Sequence, residues 1–137
     1  MTIIYRYVHG EEHQRGPFIP ILARTREGHF LKVSALVDSG ADHTVVPKRI
    51  ATLLGLTQGN EIKTTGIGGS AKVKTSTFQF LLKGNREKYT FTVQSLVIQE
   101  ENNMPLLLGR DGFFNHFHIT FRHNEEKIML KKVQTSF

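Results

Sequence analysis

The 137-residue chain has no cysteine and no tryptophan, and only four prolines. No apolar run approaches the ~20 residues that cross a bilayer as a helix. Without cysteine there is no disulfide, no thiolate metal site and no cysteine nucleophile, so nothing calls for an oxidising compartment. The opening "MTIIYRYVHGEEHQ" lacks the basic region, apolar core and small-residue cleavage site of a secretory signal. The expectation is a cytoplasmic protein with no membrane partner. Long polar or repetitive tracts are also missing, and with 39% hydrophobic and 22% charged residues the composition is that of a folded chain. A length of 137 residues suits one compact domain, 1–137, and is short for two.

Acidic residues are the scarcer sign, 12 against 18 Lys and Arg, for a formal charge of +6. Such an excess can attract phosphates. Here the basic residues are scattered through "KVKTSTF", "GNREKYTF" and "EEKIMLKK" with acids among them and no interleaved aromatic stripe. That pattern reads as a solvated surface, with no nucleic-acid partner expected.

What the chain does have is a period of two. "TIIYRYV", "PFIPILART", "HFLKVSALV", "KVKTSTFQFLL", "YTFTVQSLVI", "HITFR" and "KIMLKKV" are short β-branched or aromatic runs parted by turn chemistry such as "REGH", "KGNRE" and "RHNEE". The domain is therefore expected to be mostly β. Helix signals are few: "PKRIATLLG" has a proline at its start and Gly55 as a stop, and "RDGFFNHF" has room for one or two turns. An apolar run meets a glycine and an aspartate twice, at "ALVDSGA" and "PLLLGRDG", which suggests two related half-units in one barrel.

The segment "ALVDSGADHTVVP", residues 35–47, drives an apolar strand into a carboxylate, a hydroxyl and a glycine before it resumes as a strand. A carboxylate buried, charged and alone at a strand end costs several kcal/mol, so it needs partners. Gly40 lets the backbone turn tightly and bring an amide to Asp38, Ser39 has a hydroxyl to brace a neighbouring loop, and Ala41 leaves the approach open. Such a loop is a mount for acid–base chemistry. Hydrolysing a peptide with an activated water needs one carboxylate to take a proton and a second, protonated, to polarise the carbonyl. Two acids pressed together share one proton because they cannot both ionise. No other D-[ST]-G occurs in the chain, so a two-fold homodimer with one Asp38 from each copy is the economical source of the second acid.

Three segments in order, "LVDSGADHTVVP", "GIGG" at 66–69 and "LLLGRDGFFNHFHITF" at 106–121, resemble the retropepsin-like aspartic proteases, over roughly residues 17–133. The resemblance implies a closed acid-protease barrel, one lobe per chain, with one short α-helix near the C-terminal part. It implies a catalytic Asp38 and an active loop supported by Ser39, Gly40 and Ala41, with Ser39 bonding across to the partner's loop. Gly40 and Asp42, with Gly66, Ile67, Gly68 and Gly69 of a hairpin flap, would meet substrate, and His43, where the sequence departs from the family pattern, would line a pocket that favours acidic or polar side chains. Arg110 would form a structural ion pair with Asp42, and Asp111 would cap the following turn. Leu36, Val45, Ile67 and Leu107 are candidates for substrate pockets. The activity implied is aspartic endopeptidase action on a peptide or polyprotein, without cofactor or metal. The alternative is an inactive dimer of the same fold that binds peptides or supports assembly.

Other chemistries fit the residues less well. A phosphate loop at "GIGG" would need a following Lys-Ser/Thr and a helix, whereas "SAKVKTSTF" reads as strand. "HFH" at 116–118 lacks a third metal ligand at credible spacing, and Ser39 has no G-x-S-x-G elbow around it.

Overall fold

A computed structural model describes residues 2–9, 15–66, 69–100 and 103–134. Its elements in chain order are β1 (Thr2–Arg6), β2 (Val8–His9), β3 (Arg15–Gly16), β4 (Phe18–Arg24), β5 (Phe30–Val37), β6 (Thr44–Val46), α1 (Lys48–Leu54), β7 (Gln58–Gly66), β8 (Gly69–Lys83), β9 (Lys88–Ile98), β10 (Leu106–Leu108), β11 (Phe117–Arg122) and β12 (Lys127–Lys132). Six strands close a barrel in the order β4-β5-β10-β6-β9-β8, with β8 returning to β4 through Leu22↔Leu81 and Ala23↔Phe80. The seventh strand, β7, lies outside this ring against β8. A separate three-stranded sheet, β1-β12-β11, joins the two ends of the described chain, and β2 pairs with β3.

The period of two works as a sheet requires, with alternate side chains facing the core. Along β8 and β9 the inward positions include Ser76, Phe78, Phe80, Leu82 and Phe91, Val93, Ser95, Val97, all buried. The two buried serines are satisfied: Ser95 Oγ donates to the Ser76 carbonyl at 3.0 Å and Ser76 Oγ to the Thr57 carbonyl at 2.8 Å. Phe80 and Phe91 stack at 5.2 Å between ring centres, and Phe113 and Phe117 lie 5.3 Å apart beside them. This aromatic cluster ties the barrel wall to the segment that leads into β11.

The single α-helix among the described residues is the one that "PKRIATLLG" signals. Pro47 precedes it, and Gly55 ends it in the left-handed region at φ 69°, where its N–H reaches the Ala51 and Thr52 carbonyls. Near the C-terminal part, where the resemblance places a short α-helix, the chain instead makes one 3₁₀ turn over Phe114–His116. Gly112 sits just before it at φ 91°, and Phe117 is already extended in β11, so too few residues remain for an α-helical turn to propagate.

The sequence echo has a structural counterpart. β5 and β10 run parallel and in register, Ala35↔Leu106, Leu36↔Leu107 and Val37↔Leu108, so "ALV" and "LLL" lie side by side and end together.

Candidate active site

Two loops leave the barrel at the common end of β5 and β10. The first carries Asp38. Its backbone N–H donates to the Leu108 carbonyl at 3.0 Å, extending the β5–β10 ladder by one bond and fixing where the residue stands. The chain then turns within three residues, the Ala41 N–H bonding the Asp38 carbonyl at 3.2 Å. That turn aims the Gly40 N–H at Asp38 Oδ1, 2.9 Å away. A Cβ on Gly40 would stand 3.2 Å from the same oxygen, so glycine allows the amide this approach. Asp38 is half-buried, while Ser39 and Gly40 are exposed at the tip.

The second loop, Gly109–Asp111, locks the first from beneath. Arg110 N–H donates to the Ala41 carbonyl at 2.9 Å and Asp111 N–H to the Asp42 carbonyl at 2.8 Å. Gly109 is the contact that makes this possible, because a Cβ there would overlap the His43 carbonyl and stand 2.8 Å from the Ala41 oxygen. Side chains repeat the lacing: Arg110 pairs with Asp42, as the resemblance implies, and His43 Nδ1 faces Asp111 Oδ2 at 3.6 Å. All four side chains are about half exposed or more, so the pairs orient the loop more than they stabilise the fold. Asp111 does not cap the following turn. The residue at that cap is Phe113, which offers no side-chain bond, and Asp111 instead accepts from Asn115 Nδ2 at 3.5 Å.

Three of the pocket candidates fall in one row. Leu107 pairs with Leu36 on one side and Val45 on the other, and all three are half-buried while their neighbours along each strand point into the core. Beside them Thr44 is fully buried, and its Oγ1 has no protein partner among the described residues. Of the expected flap, Gly66 and Gly69 are the last paired residues of β7 and β8, an antiparallel hairpin whose register runs to Gly66↔Gly69. Ile67 and Gly68 lie outside the described residues.

Gly109 and the His43–Asp111 pair escape a reading of the sequence. A glycine after an apolar strand signals only a turn, and an aspartate after an arginine gives no hint of which loop it will face. His116 belongs to the core wall: its ring lies 5.2 Å from that of Phe91, and burial together with Lys132 pulls its pKa down.

Residues 26–115 match the family described as "gag-polyprotein putative aspartyl protease". No curated protein matches the chain. Solved structures do. A retropepsin-like aspartic protease from Rickettsia conorii aligns with a TM-score of 0.61 at 14% identity, over 95% of this chain and 91% of that one. The EIAV protease complexed with the inhibitor HBY-793 aligns at 0.54 and 20% identity, over 79% and 93%. The retroviral protease-like domain of Ddi1 from Leishmania major aligns at 0.50 and 17%, over 87% and 94%. With the family matched from the β4–β5 turn through both loops of the site, and with a closed six-stranded barrel to carry them, the chain belongs to the retropepsin-like aspartic proteases.

Proposed function

We propose that the protein is a homodimeric aspartic endopeptidase whose catalytic pair is Asp38 from each of two copies. The observation that carries this reading is the Asp38 loop itself. It is a half-buried carboxylate fixed to the ladder at one end and to Gly40 N–H at the other, with a second loop bonded to the residues that follow it. In this reading the ionised Asp38 of the pair removes a proton from a water, whose oxygen attacks the scissile carbonyl carbon. The protonated Asp38 gives its proton to the carbonyl oxygen, leaving a tetrahedral diol. Proton return to the amide nitrogen then breaks the C–N bond and releases an acid and an amine. The β7–β8 hairpin serves as the flap, and the Leu36–Leu107–Val45 row offers apolar contact to side chains of an extended peptide. Ser39, Gly40 and Ala41 support the loop, and Asp42 and His43 flank the bound chain.

The test is Asp38→Asn. Cleavage of a peptide library by the wild-type dimer should be lost by roughly 10³-fold or more, because proton removal and delivery vanish together. The melting temperature should change little. A transition-state mimic of the statine type should inhibit the wild type. Peptide binding without turnover, unaffected by the mimic, would instead support the inactive assembly module, and undiminished cleavage by the variant would exclude Asp38.

A further inference from the structure

One sizeable cavity of the described chain lies away from Asp38. It has a volume of about 640 Å³ and lies between the β4–β5 turn, the connection from α1 to β7, and the outer faces of β8 and β9. None of its lining residues belongs to either loop of the candidate active site. The volume falls in the range of small-molecule sites.

The chemistry of the wall is one-sided. Two arginines, Arg24 and Arg26, line it, with no aspartate or glutamate among the lining residues. Among the described residues neither arginine has a carboxylate partner. Arg24 is held by its head group and Arg26 by its stem and backbone. Arg24 donates through Nη1 to Gln79 Oε1 at 3.2 Å, and Gln79 is braced in turn by its Nε2 bond to Thr92 Oγ1 at 3.2 Å. One donor of a five-donor guanidinium is thus used, and the rest remain. The Arg26 stem packs on Gly55, where a Cβ would come within 3.1 Å of it, and its backbone N–H bonds the Leu54 carbonyl at 2.8 Å. A cation at the C-terminal end of α1 accounts for Arg26 by itself but leaves Arg24 unexplained.

The hydroxyls add to the same bias. Thr25 Oγ1 already accepts from the His29 N–H at 3.1 Å, and Thr77 Oγ1 accepts from Gln94 Nε2 at 3.4 Å. Each hydroxyl accepts one bond from the protein and keeps its hydrogen to donate outward. The cavity therefore presents two positive charges and hydroxyl donors, with no carboxylate on its wall. That is the complement of an oxyanion, which offers negative charge and acceptors only.

We infer that this cavity binds a small oxyanion ligand carrying a phosphate or a carboxylate, at a site separate from the Asp38 loop. The probes are pyrophosphate and citrate, titrated calorimetrically into the full chain at fixed ionic strength. One of them is expected to bind saturably, one per chain, pyrophosphate preference marking a phosphate ligand and citrate preference a carboxylate. Arg24→Gln and Arg26→Gln should each weaken binding by roughly tenfold or more, and Arg24→Lys by less, since it keeps the charge and loses the planar fork. Lys131→Gln removes the same charge from the exposed face of β12 and should leave the affinity unchanged. Should an arginine variant fail to fold, Thr77→Val on the exposed side of β8 should still reduce affinity severalfold. Asp38→Asn should bind like the wild type, so the outcome does not depend on proteolysis. The proposal is overturned if neither probe saturates, or if Lys131→Gln weakens binding as much as the arginine variants do, which would mean attraction to net charge alone.

Discussion

Gly109 lies under the Asp38 loop where a Cβ would overlap the His43 carbonyl, a backbone group that no rotamer change can move aside. Gly109→Ala should therefore cost at least about 2 kcal/mol of stability in urea denaturation, and it should displace the loop that holds Asp38. An unchanged denaturation midpoint would mean that the two loops are not packed as described. At this same scale Asp38 and its turn were legible in the sequence, because "DSGA" is local and chemically distinctive, whereas the Asp42–Arg110 pair was implied only by the family resemblance. The partner of His43 was legible in neither way. In the fold the His43 Nδ1 faces Asp111, 68 positions away (111 − 43), a meeting that no local signal announces. Asp111 was assigned to a cap that Phe113 occupies instead.

Among the elements, β1 is joined to the body of the protein by more than its ladder to β12. Tyr5 Oη donates to the Lys83 carbonyl at 3.0 Å, where the β8–β9 hairpin begins. Burial raises the Tyr5 pKa from the usual 10.0 to about 12. The folded chain thus keeps the Tyr5 proton at a pH where the unfolded chain has released it. The stability this contributes is fully present below pH ~10 and is lost as pH rises from there toward ~12. Tyr5→Phe should flatten the alkaline limb of a stability–pH curve over that window while losing one hydrogen bond at neutral pH. An alkaline limb identical to the wild type would show that Tyr5 does not carry it. The strands themselves were readable from alternation, and α1 from its proline and glycine. The second helix was not to be had from "RDGFFNHF", since Gly112 adopts φ 91° and Phe117 is drawn into β11 by its pairing with Lys132.

For the whole molecule, the proposed chemistry requires two chains, so activity should depend on concentration. Below the dimer dissociation constant the rate should rise with the square of enzyme concentration, and sedimentation should show monomers in the same range. A rate strictly proportional to enzyme, from a chain that sediments as a monomer throughout, would remove the second carboxylate and the mechanism with it. The terminal strands bear on how such a dimer could form. β1 pairs with β12 of its own chain, in register from Thr2↔Lys131 to Arg6↔Lys127, so the central strand of this sheet already has neighbours on both sides. A second copy that adds to the sheet has only the outer edges of β1 and β11 to use.

What the sequence settled alone was local: strand periodicity, the helix at 48–54, the absence of thiol chemistry, and a carboxylate loop whose residue types suit acid–base work. These follow from backbone preference and side-chain chemistry within a few residues of one another. Tertiary structure decided whatever depends on register and closure. Basic residues that look scattered along the chain come together because β1, β12 and β11 align Arg6, Lys127 and Arg122 in one cross-strand row, with Glu125 pairing Arg122 at 3.8 Å. Arg24 at the end of β4 and Arg26 in the turn after it, unremarkable in the sequence, came to line one cavity once β8 returned to β4 and closed the barrel. Which distant side chains meet is fixed by ladder register, and a one-residue slip in a ladder would reassign every one of them.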